Sequence, residues 1–531
     1  MRILFAILIL ALFLRFWTIG INPPSLTWDE ASWGYNAYSL GLDGKDEFGR
    51  FLPIAYLESF GDFKPPMYAY LDIIPVKIFG LNEFAVRFPS AFFGFLTVLI
   101  TYFLTRKIFE NSKNSNYYAL FASFFFAISP WHIMLSRAAF EANVASFFII
   151  LGIFLFLIGV KSTNKLFLIF SFISFVLSMY TFNTARIFSP LILFSLLLLF
   201  RKEVFNFRKN FVIAVVVSMI LFLPLAKFLI TPQASLRFKE VNIFSDIAYI
   251  DISNREIEND KNALFSKVLH NRRFIYSVEY LKHYFDNFTP NFLFGKGDGN
   301  PKFSIQEVGQ LYLWDLPFLI IGILLLFKKK EGFWYLIPLW IILGVIPAAT
   351  ARETPHALRA ETILPTLQIL VAYGFVNVFS KKNLKLSILV IFPLFINFLY
   401  FTHGLFTHYP KEFSGEWQYG YKESINYVKS VKSDYENIYI TDQLGRPYIY
   451  YLFYTKENPK VLRENAKIKR DGFGFVNVEG YDKFKFTKDP NKIIGKNSLY
   501  VNLPGKVPAN AKRLKTFYLL NGTEALVAYT I

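Results

Sequence analysis

Long apolar runs recur along this chain, each close to the length at which a helix can cross a bilayer. A spanning helix takes about 20 mostly apolar residues. Within lipid every backbone N–H and C=O must be paired inside the segment, which leaves the helix as the economical solution for such a run. Eleven candidate spans meet this description, over 2–20, 84–105, 117–135, 139–160, 165–181, 186–200, 211–230, 313–327, 333–350, 361–379 and 385–402. Runs 165–181 and 186–200 are short and are separated by a polar turn. The first run could be mistaken for a signal peptide. No small-residue cleavage site follows it and further spans do, so it is expected to be the first helix. The expected fold class is a multi-spanning α-helical membrane protein of about 11 spans.

Composition supports that class. The chain of 531 residues is 54% hydrophobic, with 63 Phe and 31 Tyr, side chains suited to helix packing in lipid and to headgroup belts. The net charge of +18 would suggest nucleic acid in a soluble protein. No basic stripe sits on a soluble segment, so no nucleic-acid partner is expected, and the Lys and Arg residues are better read as flanks of membrane helices. With no Cys, disulfides, thiol nucleophiles and thiolate metal sites are excluded.

The flanking cations give an orientation. Arg106, Lys107 and Lys113 follow the second run, and Lys161 and Lys165 the fourth. Arg201, Lys202, Arg208 and Lys209 follow the sixth, Lys328, Lys329 and Lys330 the eighth, and Lys381, Lys382 and Lys385 the tenth. With eleven spans all five clusters fall on one side, the cytoplasmic one by the positive-inside rule. The N-terminus is then inside, the C-terminus outside, and the chain a multi-pass protein of the plasma (inner) membrane. Residues 1–402 form the membrane body, with outer loops 21–83 and 231–312, and 403–531 a small extracytoplasmic α/β domain. That domain shows a helical stretch near Lys422 to Lys432. Its strand-like runs are Ile438 to Thr441, Tyr448 to Tyr454, Ser498 to Leu503 and Ala525 to Ile531.

Candidate chemistry gathers on the outer side. Loop 21–83 reads Pro23-Pro24-Ser25-Leu26-Thr27-Trp28-Asp29-Glu30 and then runs into an aromatic, helix-like stretch. The plain reading makes Asp29 the cap of a short interfacial helix with Glu30 in its first turn. The functional reading makes a carboxylate the base that takes a proton from an attacking hydroxyl. Lys64, fixed by Pro65-Pro66, is either a headgroup-binding lysine or a phosphate ligand. The outer turns hold His132, Arg137 and Glu141, then Arg186, then Arg352, His356 and Arg359. Cations there run against the orientation signal, and pairing with Glu141, Glu353 or Glu361 is their ordinary explanation. Yet an acid such as Glu141 beside an apolar run is costly without a partner or a purpose. Cations and acids converging on one side suggest a site for a phosphorylated lipid.

The outward Asp29-Glu30, Phe63-Lys64-Pro65-Pro66-Met67-Tyr68, Glu83-Phe-Ala-Val-Arg87-Phe-Pro and the multi-span body with a C-terminal outer domain resemble the glycosyltransferase C superfamily. Within it the chain resembles the dolichyl-phosphate-mannose protein mannosyltransferase family and its bacterial relatives, including the lipid A aminoarabinose transferase. The resemblance covers the membrane body. It implies transfer of a sugar from a polyprenyl phosphate to an acceptor hydroxyl on a protein, glycolipid or glycan, on the outer face, with inversion at the anomeric carbon. It further implies Asp29 as catalytic base, with Glu30 beside it, and Lys64 as ligand of the lipid phosphate. Glu141 is similar in position to a second acid that orients the acceptor or the base. Arg137, Arg186, Arg352 and Arg359 are candidate phosphate ligands by charge and side alone. Phosphate is a better leaving group than an alkoxide, so one base with cations suffices where glycosidases need a general acid.

Two details qualify the resemblance. The aminoarabinose transferase has a metal-binding acid just before the lysine, where this chain has Phe63. No metal ligand set and no cofactor are therefore assigned, and the six scattered His residues do not restore a site. Glu416-Trp417-Gln418-Tyr419 is near the sequon-recognition signature of oligosaccharyltransferases but lacks its second Trp and its Asp, and is read as a helix entry. The rival to an enzyme is a transporter or flippase of a lipid-linked glycan. Transporters place charges at mid-membrane and show internal repeats, whereas here the charges gather at the outer edge. A polysaccharide ligase or polymerase would share the outer arginines but not the Asp-Glu pair.

Overall fold

The computed structural model describes residues 1–162, 164, 166–206, 208–379, 384–472, 476–493 and 495–531. Lys165, Lys381 and Lys382 of the flanking clusters lie outside the described residues. Every apolar run is helical. Glu83–Ile108, Glu141–Gly159 and Arg208–Leu229 are each long and apolar enough to cross a membrane. Two further runs are bent pairs, Ser115–Ile128 with Pro130–Arg137 at 55° and Ala357–Ile363 with Thr366–Phe379 at 57°. Each bend falls at a proline, Pro130 or Pro365, which lacks an N–H and steers the residue before it away from helix. Counting each bent pair as one span gives up to five by length and composition among the described residues. Arg2–Phe16, Leu166–Met179, Ala185–Leu199, Asp315–Lys329 and Leu336–Ala348 are shorter apolar helices, and Leu384–His403 is a further apolar helix of 20 residues.

The chain divides into two compact units. The first comprises residues 1–11, 95–133 and 145–399, and is helical throughout its regular structure. Its closest helix pairing sets Asp315–Lys329 against Thr366–Phe379. A Cβ on Gly322 would stand 2.1 Å from the Leu370 carbonyl oxygen, and one on Gly374 would stand 2.0 Å from that of Phe318. Small residues let the two backbones touch, as is usual where helices pack in lipid. The polar segment 231–312 is also largely helical. Its helix Arg272–Asp286 turns Tyr280, His283 and Tyr284 toward backbone carbonyls of Ile346, Ala351 and Ile342.

The second unit comprises 12–94, 134–144 and 400–531. Residues 21–83 therefore fall in the same unit as the C-terminal segment. Direct contacts explain why. The Tyr450 hydroxyl donates to the Leu26 carbonyl at 3.1 Å, and the Tyr35 hydroxyl to that of Glu457 at 3.0 Å. Arg463 ion-pairs with Asp43 and donates to Ser39 Oγ. This unit takes in the end of α1 (Arg2–Phe16), then α2 (Trp28–Asp43), the short antiparallel hairpin β1 (Leu57–Ser59) and β2 (Asp62–Lys64), α3 (Met67–Phe79) and the start of α4 (Glu83–Ile108).

The C-terminal segment is an α/β arrangement. Its strands are β3 (Asn437–Thr441), β4 (Lys467–Arg470), β5 (Val476–Tyr481), β6 (Phe484–Thr487), β7 (Ser498–Asn502), β8 (Lys512–Tyr518) and β9 (Glu524–Thr530). They form one seven-stranded sheet in the order β4-β5-β6-β3-β7-β9-β8, with β3 parallel to both β6 and β7. Helix Tyr421–Val431 buries Tyr421, Ser424, Ile425 and Val428, the spacing of one helical face. The run Tyr448 to Tyr454, expected as a strand, is instead helix Pro447–Thr455. Pro447 sits in its first turn, where a proline is pre-organised for helix. The aromatic residues that suggest a strand are buried on several sides at once, so tertiary packing overrides their β preference.

Candidate active site

Asp29 and Glu30 sit at the start of α2, and the local sequence explains the helix. Thr27 is the N-cap. Its hydroxyl accepts the Glu30 N–H at 3.2 Å, while Glu30 Oε2 accepts the Thr27 N–H at 3.0 Å. This is a capping box, so the cap is Thr27 and not Asp29. Asp29, one residue short of the box, is left with its carboxylate outside the capping bonds.

Glu30 and Asp29 then diverge. Glu30 is buried and meets the equally buried Arg87, with Arg87 Nε 2.8 Å from Oε1 and Nη2 3.3 Å from Oε2. Glu30 Oε1 also accepts the Ala139 N–H at 3.0 Å. Arg87 completes its set on the carbonyls of Ile19, Pro23 and Ser25. Each charged atom of this pair has partners, which is what a buried ion pair requires to persist. Asp29, by contrast, has a side chain 53% exposed, and its carboxylate is in direct contact with the Lys64 ammonium.

Lys64 ends β2, immediately before Pro65 and Pro66 lead into α3. Its side chain is 9% exposed. The ammonium stands 5.1 Å from the Trp33 ring centroid and 5.0 Å from that of Phe60, close enough for cation–π attraction. Trp33 lies one helical turn beyond Asp29, so α2 supplies both the anion and one aromatic wall. Glu141, first residue of helix Glu141–Gly159, lies within Coulombic reach of Lys64, Asp29 and Asp62. The chain thus brings Asp29, Lys64 and Glu141 together within one unit, around one partly shielded cation.

The arginines have other engagements. Arg137 belongs to the same unit, but its guanidinium is buried and donates to the carbonyls of Leu14 (2.8 Å), Trp17 (2.9 Å) and Asn22 (2.7 Å). Arg186, Arg352 and Arg359 belong to the other unit. There Arg186 Nε donates to the Met179 carbonyl at 3.2 Å, and Arg352 reaches Asp246 at 3.8 Å and the Asn242 carbonyl. Arg359 lies within Coulombic reach of Asp298. Asp298 accepts the Ala357 N–H at 2.6 Å, and burial pushes its carboxyl up to about 6. Among the described residues, no three His, Asp or Glu side chains gather as a metal ligand set. Trp417 of the sequon-like stretch is buried, with its indole N–H on the Tyr409 hydroxyl at 2.7 Å and the Arg87 guanidinium 5.7 Å from its ring. That stretch precedes helix Tyr421–Val431, as a helix entry should.

Sequence reasoning passed over Arg87 as a site residue, though its motif was read. An arginine inside an apolar stretch, four residues after an acid, is the signal that could have marked it.

Residues 63–228 match the family model described as dolichyl-phosphate-mannose-protein mannosyltransferase. An uncharacterized protein of Aquifex aeolicus (strain VF5) is 32% identical over 151 residues, 28% of this chain and 28% of that protein. A second from the same organism is 30% identical over 134 residues, 23% of this chain and 31% of that protein. The chain thus matches under a third of the length of these curated relatives. The crystal structure of ArnT from Cupriavidus metallidurans bound to undecaprenyl phosphate is similar with a TM-score of 0.55 and 12% identity, covering 98% of this chain and 97% of that one. The same protein in the apo state gives a TM-score of 0.54, with the same identity and coverage. The resemblance read from the sequence is therefore shown at two levels, the dolichyl-phosphate-mannose-protein mannosyltransferase pattern across residues 63–228 and the ArnT fold along nearly the whole chain.

Proposed function

We propose that this protein is a membrane glycosyltransferase that moves a sugar from a polyprenyl phosphate to an acceptor hydroxyl on the outer face of the plasma membrane. The Asp29–Lys64 pair is the observation that carries this reading. It joins a solvent-reachable carboxylate to an ammonium walled by Trp33 and Phe60. The match of residues 63–228 to a dolichyl-phosphate-mannose-protein mannosyltransferase family model and the fold of a protein crystallised with undecaprenyl phosphate support the donor class.

The reaction is an inverting single displacement. The acceptor oxygen attacks the anomeric carbon as the bond from that carbon to the lipid phosphate oxygen breaks. The electron pair leaves with the phosphate, whose charge Lys64 stabilises. The acceptor proton passes to the Asp29 carboxylate. Binding of the phosphate draws Lys64 toward a second anion, which frees Asp29 for that proton. Glu141, close to both, orients the acceptor. Glu30 supports Asp29 by holding the first turn of α2 on Arg87. Arg137 shapes the turn around residues 14–22 through its carbonyl contacts. Arg186, Arg352 and Arg359 remain candidate phosphate ligands by charge.

The test is release of polyprenyl phosphate from a radiolabelled polyprenyl-phosphate hexose by the protein in lipid, wild type beside Asp29→Asn. The expected loss is about 10²- to 10⁴-fold, the usual contribution of a general base, with donor binding retained. Equal turnover by both proteins would reduce Asp29 to a first-turn acid. Movement of the donor across the bilayer without hydrolysis or transfer would favour a flippase.

A further inference from the structure

The helix that holds Asp29 and the hairpin that holds Lys64 are separate pieces of chain, and the ion pair between them is open to water on one side. A second, fully buried set of contacts joins the same two pieces. In the hairpin, Ser59 pairs with Asp62 and Leu57 with Lys64, so Ser59 and Lys64 fall on one face of the ribbon and Glu58 on the other. The Glu58 face is held by Arg50 and Arg470. The Ser59 face is held by α2. Ser32 Oγ lies 2.5 Å from Ser59 Oγ, and the Asn36 amide donates to Ser59 Oγ at 3.3 Å and to the Ser32 carbonyl at 3.0 Å. Asp29, Ser32 and Asn36 recur at i, i+3 and i+7, one face of the helix.

Glu47 closes this network. Its Oε1 accepts the Ser59 hydroxyl at 2.9 Å, and its backbone N–H donates to Asn36 Oδ1 at 2.9 Å. Glu47, Ser59, Ser32 and Asn36 are all fully buried. We propose that Glu47 is a positioning residue for the Asp29–Lys64 pair: its carboxyl, through Ser59, fastens the β1–β2 hairpin to α2 while its backbone N–H holds Asn36, and so fixes where the Lys64 ammonium stands. The inference rests on the reading of that pair as the reacting site.

The electrostatics fit a residue that must hold without competing. Burial pushes the Glu47 carboxyl up to about 8, and Asp46 adds to the rise, while Ser59, Asn36 and Lys64 oppose it. Tyr35 on α2 and Tyr448 on helix Pro447–Thr455 also feel its charge. At neutral pH Glu47 is therefore held mostly in its neutral form and adds little negative charge to rival a phosphate at Lys64. A carboxyl raised from the ordinary 4.5 to about 8 gives stability that is full below 4.5 and lost as pH rises through 8. The hairpin should loosen from pH 7 to 9.

The test uses the full chain in lipid nanodiscs, with two readouts. Hydrogen exchange at the amides of residues 57–64, corrected for intrinsic rate, needs no substrate. Transfer from a polyprenyl-phosphate hexose reads the reaction. Glu47→Gln should keep exchange within about twofold of wild type at pH 7 and abolish the loosening toward pH 9, while Glu47→Ala should speed exchange about tenfold and depress transfer. Because the chain has no Cys, Ser32→Cys with Ser59→Cys can form a covalent fastener at this contact. Oxidised in the Glu47→Ala background it should restore both readouts, and reduction should remove them again. If Glu47→Ala does not fold, Ser59→Ala takes its place. Unchanged exchange in the truncated variant overturns the proposal. So does lost protection with unchanged transfer, because Glu47 would then hold the hairpin without positioning the site. If wild type shows no transfer at all while exchange behaves as described, the transferase reading has failed and the fastener stands.

Discussion

Asp29 and Glu30 are neighbours at the start of one helix, and each faces a cation, yet their surroundings are opposite. Glu30 and Arg87 are sealed from water and every charged atom has partners. Asp29 is half open, and its carboxylate meets the shielded Lys64 ammonium. A buried pair with complete hydrogen bonding holds structure, because neither ion can leave without stranding the other. A pair open on one side can exchange its anion for a ligand at little cost. The same dipeptide therefore divides its labour, one acid for the frame and one for the chemistry.

The largest effect should come from breaking the buried pair. Arg87→Ala leaves Glu30 buried and uncompensated, at a cost of about 3–5 kcal/mol, visible as a large drop in the denaturant midpoint of the detergent-solubilised protein. A loss under 1 kcal/mol would mean that water reaches Glu30 and that the contrast between the two pairs is smaller than their burial indicates. Removing the cap alone is a milder cut. Thr27→Ala deletes one half of the capping box and should cost about 1 kcal/mol, read in the same unfolding series. The smallest effect belongs to the open pair. Asp29→Asn should shift stability by less than about 1 kcal/mol, since the Asp29 side chain itself is 53% exposed and an open carboxylate contributes little to stability. An activity loss matched by an equal stability loss would instead make Asp29 another member of the frame.

Much of the fold is written locally. Each apolar run forms helix, and the two sharp bends coincide with Pro130 and Pro365. The strands at Asn437–Thr441, Ser498–Asn502 and Glu524–Thr530 fall where alternating β-branched and aromatic residues place them. Thr27-x-x-Glu30 spells out a capping box, so the structural role of Glu30 was legible in the sequence, though masked by the prominence of the acid pair. The meeting of Asp29 with Lys64 was expected only through a family resemblance, because 35 residues separate them and no local rule links a helix start to a strand end. The helix at Pro447–Thr455 defeats its aromatic composition because the surrounding packing, not propensity, sets its state.

By itself, then, the sequence determined where the apolar helices form, where they bend and which charged residues flank them, since periodicity, proline and charge act over a few residues. Only the tertiary structure decided which acid is buried and which is open, that Arg137 is engaged by carbonyls, and that the first loop groups with the C-terminal segment. Those outcomes depend on desolvation and on partners distant in sequence, such as Arg87 for Glu30 and Tyr450 for Leu26. Burial is a property of the assembled fold, and no single stretch of chain encodes it.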